Sequence, residues 1–178
     1  MRKVLYVLGE LKDGDLQWLA GAGETRAVAA GDVLITEGQP VGTLFIVLDG
    51  ELAVSVRGNE VARLEMGEIV GDMSMLDSRP PNATVSVSEE GQVFAVPHST
   101  LRAKLSSDDG FASRFYRAMA IFLANRLTQT TAMATGLKAE VSLDEDDFDM
   151  DELTMDAMDS VGLAGSRFVW FVNEVRAD

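Results

Sequence analysis

The sequence predicts a mainly β domain with flanking helices, and three observations carry that prediction. Between Thr25 and Pro97 short β-rich runs alternate with Gly31, Gly38, Gly50, Gly58, Gly67, Gly71 and Gly91. Runs at roughly 8–12-residue spacing with turn signals between them read as a sandwich or roll. Beyond Pro97 the apolar period lengthens to three and four residues, the mark of an amphipathic helix. From Leu137 onward twelve acids face three bases, so this tail carries −9 of the total −14.

The elements follow in order. Asp13-Gly14-Asp15 before Leu16–Ala20 reads as a short helix capped by an aspartate, closed by Gly21 and Gly23. The strand candidates are Thr25–Val28, Asp32–Thr36, Thr43–Leu48, Leu52–Arg57, Val61–Leu64, Ala83–Ser88 and Gln92–Val96. Alternation in Leu52–Val56 and Ala83–Val87 presents one face to a core and the other to solvent. Gly38, Gly50 and Gly58 are expected to supply positive φ for tight turns. Ser99 is a candidate cap for a helix over Thr100–Leu105. A longer helix spans about Asp109–Met133, with Phe111, Phe115, Met119, Phe122, Leu123 and Leu127 on one stripe. Arg114, Arg117 and Arg126 lie off that stripe, and Gly136 is expected to end the helix. The chain thus divides into a helical segment over residues 1–23, a roll with its C-terminal helix over 24–135, and an acidic tail over 136–178.

Composition narrows the chemistry. The absence of cysteine removes disulfides, thiolate zinc sites and cysteine nucleophiles, and fits a reducing cytoplasm. No run approaches the roughly 18 apolar residues of a membrane span, and the first ten residues lack a signal-peptide pattern, so a soluble, cytoplasmic chain is expected. Residues 1–136 carry −5, and neither they nor the tail offer the basic footprint that nucleic acid binding requires.

Three motifs make a family resemblance. They are Ala30-Gly31-Asp32-Val33-Leu34-Ile35-Thr36-Glu37-Gly38, then Leu44-Phe45-Ile46-Val47-Leu48-Asp49-Gly50-Glu51-Leu52, then Gly67-Glu68-Ile69-Val70-Gly71-Asp72-Met73-Ser74-Met75-Leu76 followed by Pro81-Asn82-Ala83-Thr84-Val85. In order and spacing they resemble the cyclic-nucleotide-binding domain family, which includes catabolite activator protein and the kinase regulatory subunits. The resemblance covers roughly residues 10–133. It implies a β-roll, a jelly-roll-like double-stranded β-helix, and makes the third motif similar to the family's phosphate-binding cassette. There a glycine and a glutamate open a one-turn helix whose amides face a cyclic phosphate. The glutamate takes the ribose hydroxyl, and an Arg-Ser/Thr-Ala run closes over the anion. Gly71 matches the first glycine, Asp72 stands at the glutamate position, and Met73 and Ser74 would supply amides.

The closing run departs from that pattern. Pro81 stands at the arginine position, Asn82 at the serine or threonine, and Ala83 at the alanine. Truncating one partner of a buried charge pair costs about 2–5 kcal/mol, which weakens binding roughly 30- to several-thousand-fold. A micromolar site would become submillimolar or worse. Asp72 is also one methylene short of a glutamate. Arg79, two residues before Pro81, is a candidate to swing inward; its alternative is a solvated loop arginine.

Other candidates fare poorly. His98, the only histidine, lacks a partner for metal or acid–base work and reads as a helix-entry residue. No Gly-x-Ser-x-Gly elbow is present, so no nucleophile is expected and no catalytic residue is named. The run Asp144–Glu152 invites a calcium loop, but frames starting at Asp144 or Asp147 put no glycine sixth and no glutamate twelfth. No metal site or cofactor is expected.

Phe148, Met150, Leu153, Met155 and Met158 thread that acidic stretch, a pattern that often folds onto a partner. Val161-Gly162-Leu163-Ala164-Gly165 is expected to break the chain, with Ser166 capping Arg167–Arg176. There Phe168, Phe171, Val172 and Val175 have helical spacing, while Phe168–Val172 is equally good strand sequence. Such a surface has to dock: on its own roll, on a dimer mate or on another protein.

Two functional readings follow, neither an enzyme. One is a signalling module that senses a cyclic nucleotide or other small anion and acts through a partner protein or self-association, by way of helix 109–133 and tail 148–175. The other is a pseudo-receptor scaffold that holds no cyclic nucleotide and tethers through its tail. A diverged pocket in a non-enzymatic module is the preferred reading.

Overall fold

A computed structural model describes residues 8–77, 79–135 and 155–177. Gly136, the run Asp144–Glu152 and Phe148, Met150 and Leu153 lie outside the described residues.

Helix α1 (Asp13–Ala20) starts before Leu16, with Lys12 rather than an aspartate as its cap residue. The aspartate works backward from inside the first turn: the Lys12 amide donates to Asp15 Oδ2 at 2.8 Å. Gly21 ends the helix as expected.

The strands are β1 (Glu24–Val28), β2 (Val33–Ile35), β3 (Thr43–Val56), β4 (Asn59–Leu64), β5 (Ile69–Val70) and β6 (Thr84–Pro97). All pair antiparallel, in the order β1-β6-β3-β4, with β2 on β6 and β5 on β3. Two corrections to the strand boundaries arise from pairing. The runs Thr43–Leu48 and Leu52–Arg57 are one strand, as are Ala83–Ser88 and Gln92–Val96. Each long strand stays hydrogen-bonded through its glycine because the two bend together. The β3–β6 register slips between Val47 and Leu52, and these bulges curl the sheet into a roll. Gly50, at φ +81°, is required there, since a Cβ would lie 2.7 Å from the carbonyl oxygens of Glu89 and Glu90. Gly38 and Gly58 also take positive φ, as expected. The two-residue β5 is too short for any alternation to reveal it.

Two apolar clusters result. Phe45, Val47, Leu52, Val54, Val70, Val85, Val87 and Val93 fill the inside of the roll. The alternate residues Leu44, Ile46, Leu48, Phe94 and Val96 point the other way and pack under helices. Both faces of this end of β3 are therefore buried, which explains its unbroken apolar run.

Helix α2 (Asp72–Asp77) follows β5, and α3 (His98–Ser107) follows β6 directly. Ser99 is not its cap. The helix starts at His98, whose amide donates to Gly42 O at 2.8 Å, and extended Pro97 precedes it with no side-chain cap. Helix α4 (Asp109–Thr135) buries Phe111, Phe115, Met119 and Phe122, but the stripe outlasts the core and Leu127 is 68% exposed. Arg114 grips the buried Asp15 through two hydrogen bonds of 2.6 and 2.8 Å, tying α4 to α1.

Helix α5 (Met155–Ala177) overturns the expected break at Val161–Gly165 and the cap at Ser166, and settles residues 167–176 as helix. Gly162 and Gly165 each cost about 1 kcal/mol relative to alanine in a helix. Packing outweighs that. Ala164, Phe168, Phe171, Val172 and Val175 are buried, with Phe171 edge-on to Phe94 at 5.2 Å. Arg167 reaches Asp13 at 2.8 Å and the Gly9 carbonyl at 3.1 Å, and Arg176 donates to Leu48 O at 2.8 Å. The Thr25 hydroxyl donates to the Val175 carbonyl. The tail helix thus docks on its own roll. No described helix is long and apolar enough to cross a membrane.

Candidate functional site

The site begins at Gly71, where β5 turns into α2. Its φ is +85°, and a Cβ would stand 2.3 Å from Thr43 O, so no other residue fits this crossing without displacing β3. Immediately after it Asp72 is buried, Met73 faces outward at 49% exposure, and Ser74 and Met75 turn inward.

Two groups on α3 hold α2 from behind. Arg102 donates to the carbonyls of Ser74 and Met75, each at 3.3 Å. His98 is buried at the start of α3. Burial, and then the positive charge of Arg102, push its imidazole below the ordinary range; the carbonyls of Gly71, Val41 and Thr43 pull weakly the other way. His98 is therefore neutral at pH 7, a structural helix-entry residue.

The closing run folds back over the same place. Ser74 Oγ donates to Arg79 O at 2.9 Å, and the Gly38 amide donates to Pro81 O at 2.9 Å. Together these segments enclose a cavity of about 360 Å³. Gly71, Asp72, Met73, Ser74, Arg79, Pro81, Asn82 and Ala83 all line it, so the structure brings the two cassette-like segments together. The inner wall is apolar, formed by Ile35, Val54, Val70 and Val85. The volume lies within the usual range for small-molecule pockets.

The polar groups are distributed unlike the family's cassette. Pro81 brings a ring and no donor to the rim. Arg79 stays outside, its side chain 81% exposed and its Nε 2.6 Å from Asp77 Oδ2. Its backbone amide and guanidinium together hold the Asp77 carboxyl below its usual value. The guanidinium inside the cavity comes from elsewhere: Arg126 of α4 places Nη1 3.6 Å from Asp72 Oδ1. Asp72 is 3% exposed in that pair and Arg126 36%. In the sequence Arg126 is distinguished only by lying off the apolar stripe. Nothing local marks it, because its meeting with Asp72 depends on where α4 crosses the roll.

Outside Pro81 a wider hollow of about 810 Å³ shares Arg79 and Asn82 and adds Glu37 and Arg57. Arg57 adopts φ +51°, uncommon for a side chain of its size, and its amide donates to Glu37 Oε2 at 2.8 Å.

Residues 25–108 match the cyclic nucleotide-binding domain family. An uncharacterized NTE family protein of Mycobacterium tuberculosis is 28% identical over 127 residues, 71% of this chain and 22% of that protein. A cGMP-dependent protein kinase of Toxoplasma gondii is 28% identical over 124 residues, 69% of this chain and 12% of the kinase. The chain thus spans less than a quarter of the length of these curated relatives. A cyclic nucleotide-binding domain from Methylobacillus flagellatus superposes with a TM-score of 0.68 at 19% identity, covering 76% of this chain and 83% of that one. Matched sequence and coiled antiparallel strands agree: residues 25–108 match the cyclic nucleotide-binding domain family and share the β-roll fold of its solved structures.

Proposed function

We propose that this chain is a non-enzymatic, cytoplasmic regulatory module whose cyclic-nucleotide-type pocket has diverged, and whose output passes through a protein partner or self-association. One observation carries the reading: Pro81 lines the cavity where a cassette arginine would close it, while Arg79 points to solvent against Asp77. The backbone supports a pocket and the side chains withhold its usual anion clamp. A loss of about 2–5 kcal/mol at that position leaves a cyclic nucleotide with submillimolar affinity at best.

Among the described lining residues, no hydroxyl–imidazole arrangement supports catalysis. The Ser74 hydroxyl donates to a backbone carbonyl, and His98 does not line the cavity. The exposed Leu127 and Tyr116 on α4 support a partner or second copy along that helix.

The second reading, a scaffold that holds no cyclic nucleotide, is favoured by the Asp72–Arg126 pair, which already occupies the polar end of the cavity. Calorimetry with cyclic AMP, cyclic GMP and cyclic di-GMP on the wild type and on Pro81→Arg separates them. The diverged-pocket reading expects weak wild-type binding that tightens at least about 30-fold in Pro81→Arg. Micromolar binding by the wild type refutes the divergence. No detectable wild-type binding, with binding gained only in Pro81→Arg, selects the scaffold.

A further inference from the structure

We infer that Arg126 is the anion-recognising cation of this cavity, and that Asp72 competes with the ligand for it. The inference rests on the cavity being a cyclic-nucleotide-type pocket and goes beyond it by moving the cation from the closing run to helix α4. Among the described residues, three arginines touch the cavity or its outer hollow. Arg79 is held at the rim by Asp77, and Arg57 reaches only the outer hollow. Arg126 alone of these lies beside the buried floor, with its guanidinium against a carboxylate that is 3% exposed.

That geometry changes the role of the cassette acid. A carboxylate that reaches a ligand hydroxyl helps binding. A carboxylate already engaged by that guanidinium opposes an incoming anion twice, by occupying the cation and by like-charge repulsion from a group itself shielded from water. A single inner cation among valines fits an anion bearing one charge and an apolar body. Neutralising Asp72 therefore strengthens anion binding here, the reverse of what a ribose-contacting acid predicts.

The test uses the full chain in the Pro81→Arg background, with cyclic AMP as probe and calorimetry as readout. Adding Asp72→Asn is expected to tighten binding at least about tenfold. Adding Arg126→Gln is expected to weaken it at least about tenfold, and Arg126→Lys to recover part of the loss because the charge returns without the planar fork. Thermal melts of each variant separate a binding effect from unfolding, and the lysine variant covers the case in which the glutamine variant does not fold. If Pro81→Arg binds but Asp72→Asn weakens it, or Arg126→Gln leaves it unchanged, the inference falls while the pocket stands. If Pro81→Arg binds nothing, the pocket reading falls and takes the inference with it.

Discussion

Phe171→Ala measures whether the tail helix α5 belongs to the fold. Phe171 is fully buried, sits edge-on to Phe94 at 5.2 Å, and joins the same cluster as Leu8, Leu16 and Phe168. Removing a buried phenylalanine ring costs about 3–5 kcal/mol, of which roughly 0.5–1.5 is the aromatic pair itself. A domain's whole stability is about 5–15 kcal/mol, so the loss is a large share. With a urea slope of about 1–3 kcal/mol/M, the unfolding midpoint should fall by at least roughly 1 M. Val169→Ala, at an exposed position on the same helix, should stay within about 0.5 kcal/mol. Urea titration followed by circular dichroism, with amide exchange across residues 163–176, gives both quantities. Should α5 undock before the roll unfolds, exchange in those residues accelerates and the global midpoint moves less. A Phe171→Ala variant that loses under about 1 kcal/mol and keeps α5 protected would refute the packing argument.

Other perturbations probe the site and its supports. Gly71→Ala forces a side chain into positive φ and against Thr43 O, and should lower stability by more than about 2 kcal/mol in thermal melts; a neutral result means Gly71 does not meet β3 as described. Burial alone would raise the Asp15 carboxyl, but the Arg114 and Lys12 hydrogen bonds outweigh it and hold it below the ordinary value. Its stabilisation is therefore present above about pH 3.9 and lost as pH falls through the lower folded value; denaturation from pH 2 to 7 should show a steeper acid loss in the wild type than in Asp15→Asn. His98 has the opposite charge chemistry but the same slope. Because its folded imidazole is depressed, stability should decline as pH drops below about 6.5 and level off beneath the folded value, and His98→Asn should flatten that segment.

The sequence by itself determined the roll, the long helix and the location of the pocket. Period-two runs punctuated by glycines such as Gly38 and Gly58 are local signals, and so is the Phe111–Phe115–Met119–Phe122 stripe. Gly71 through Ser74 and Pro81 through Ala83 are joined by the resemblance to the family's cassette, and in the fold they line one cavity. Only the tertiary structure decided the rest. Phe168–Val172 suits strand and helix equally, and became helix because Phe94, Leu48 and the N-terminal residues offered a face to bury it. Asp15 serves Lys12 and Arg114 at once because α1 and α4 meet. Arg126 reaches Asp72 through the crossing of α4 over the roll, a long-range geometry on which no spacing rule bears. Local periodicity encodes which face of an element is apolar; where that element comes to rest, and hence which charge lines the cavity, depends on all the surfaces it packs against.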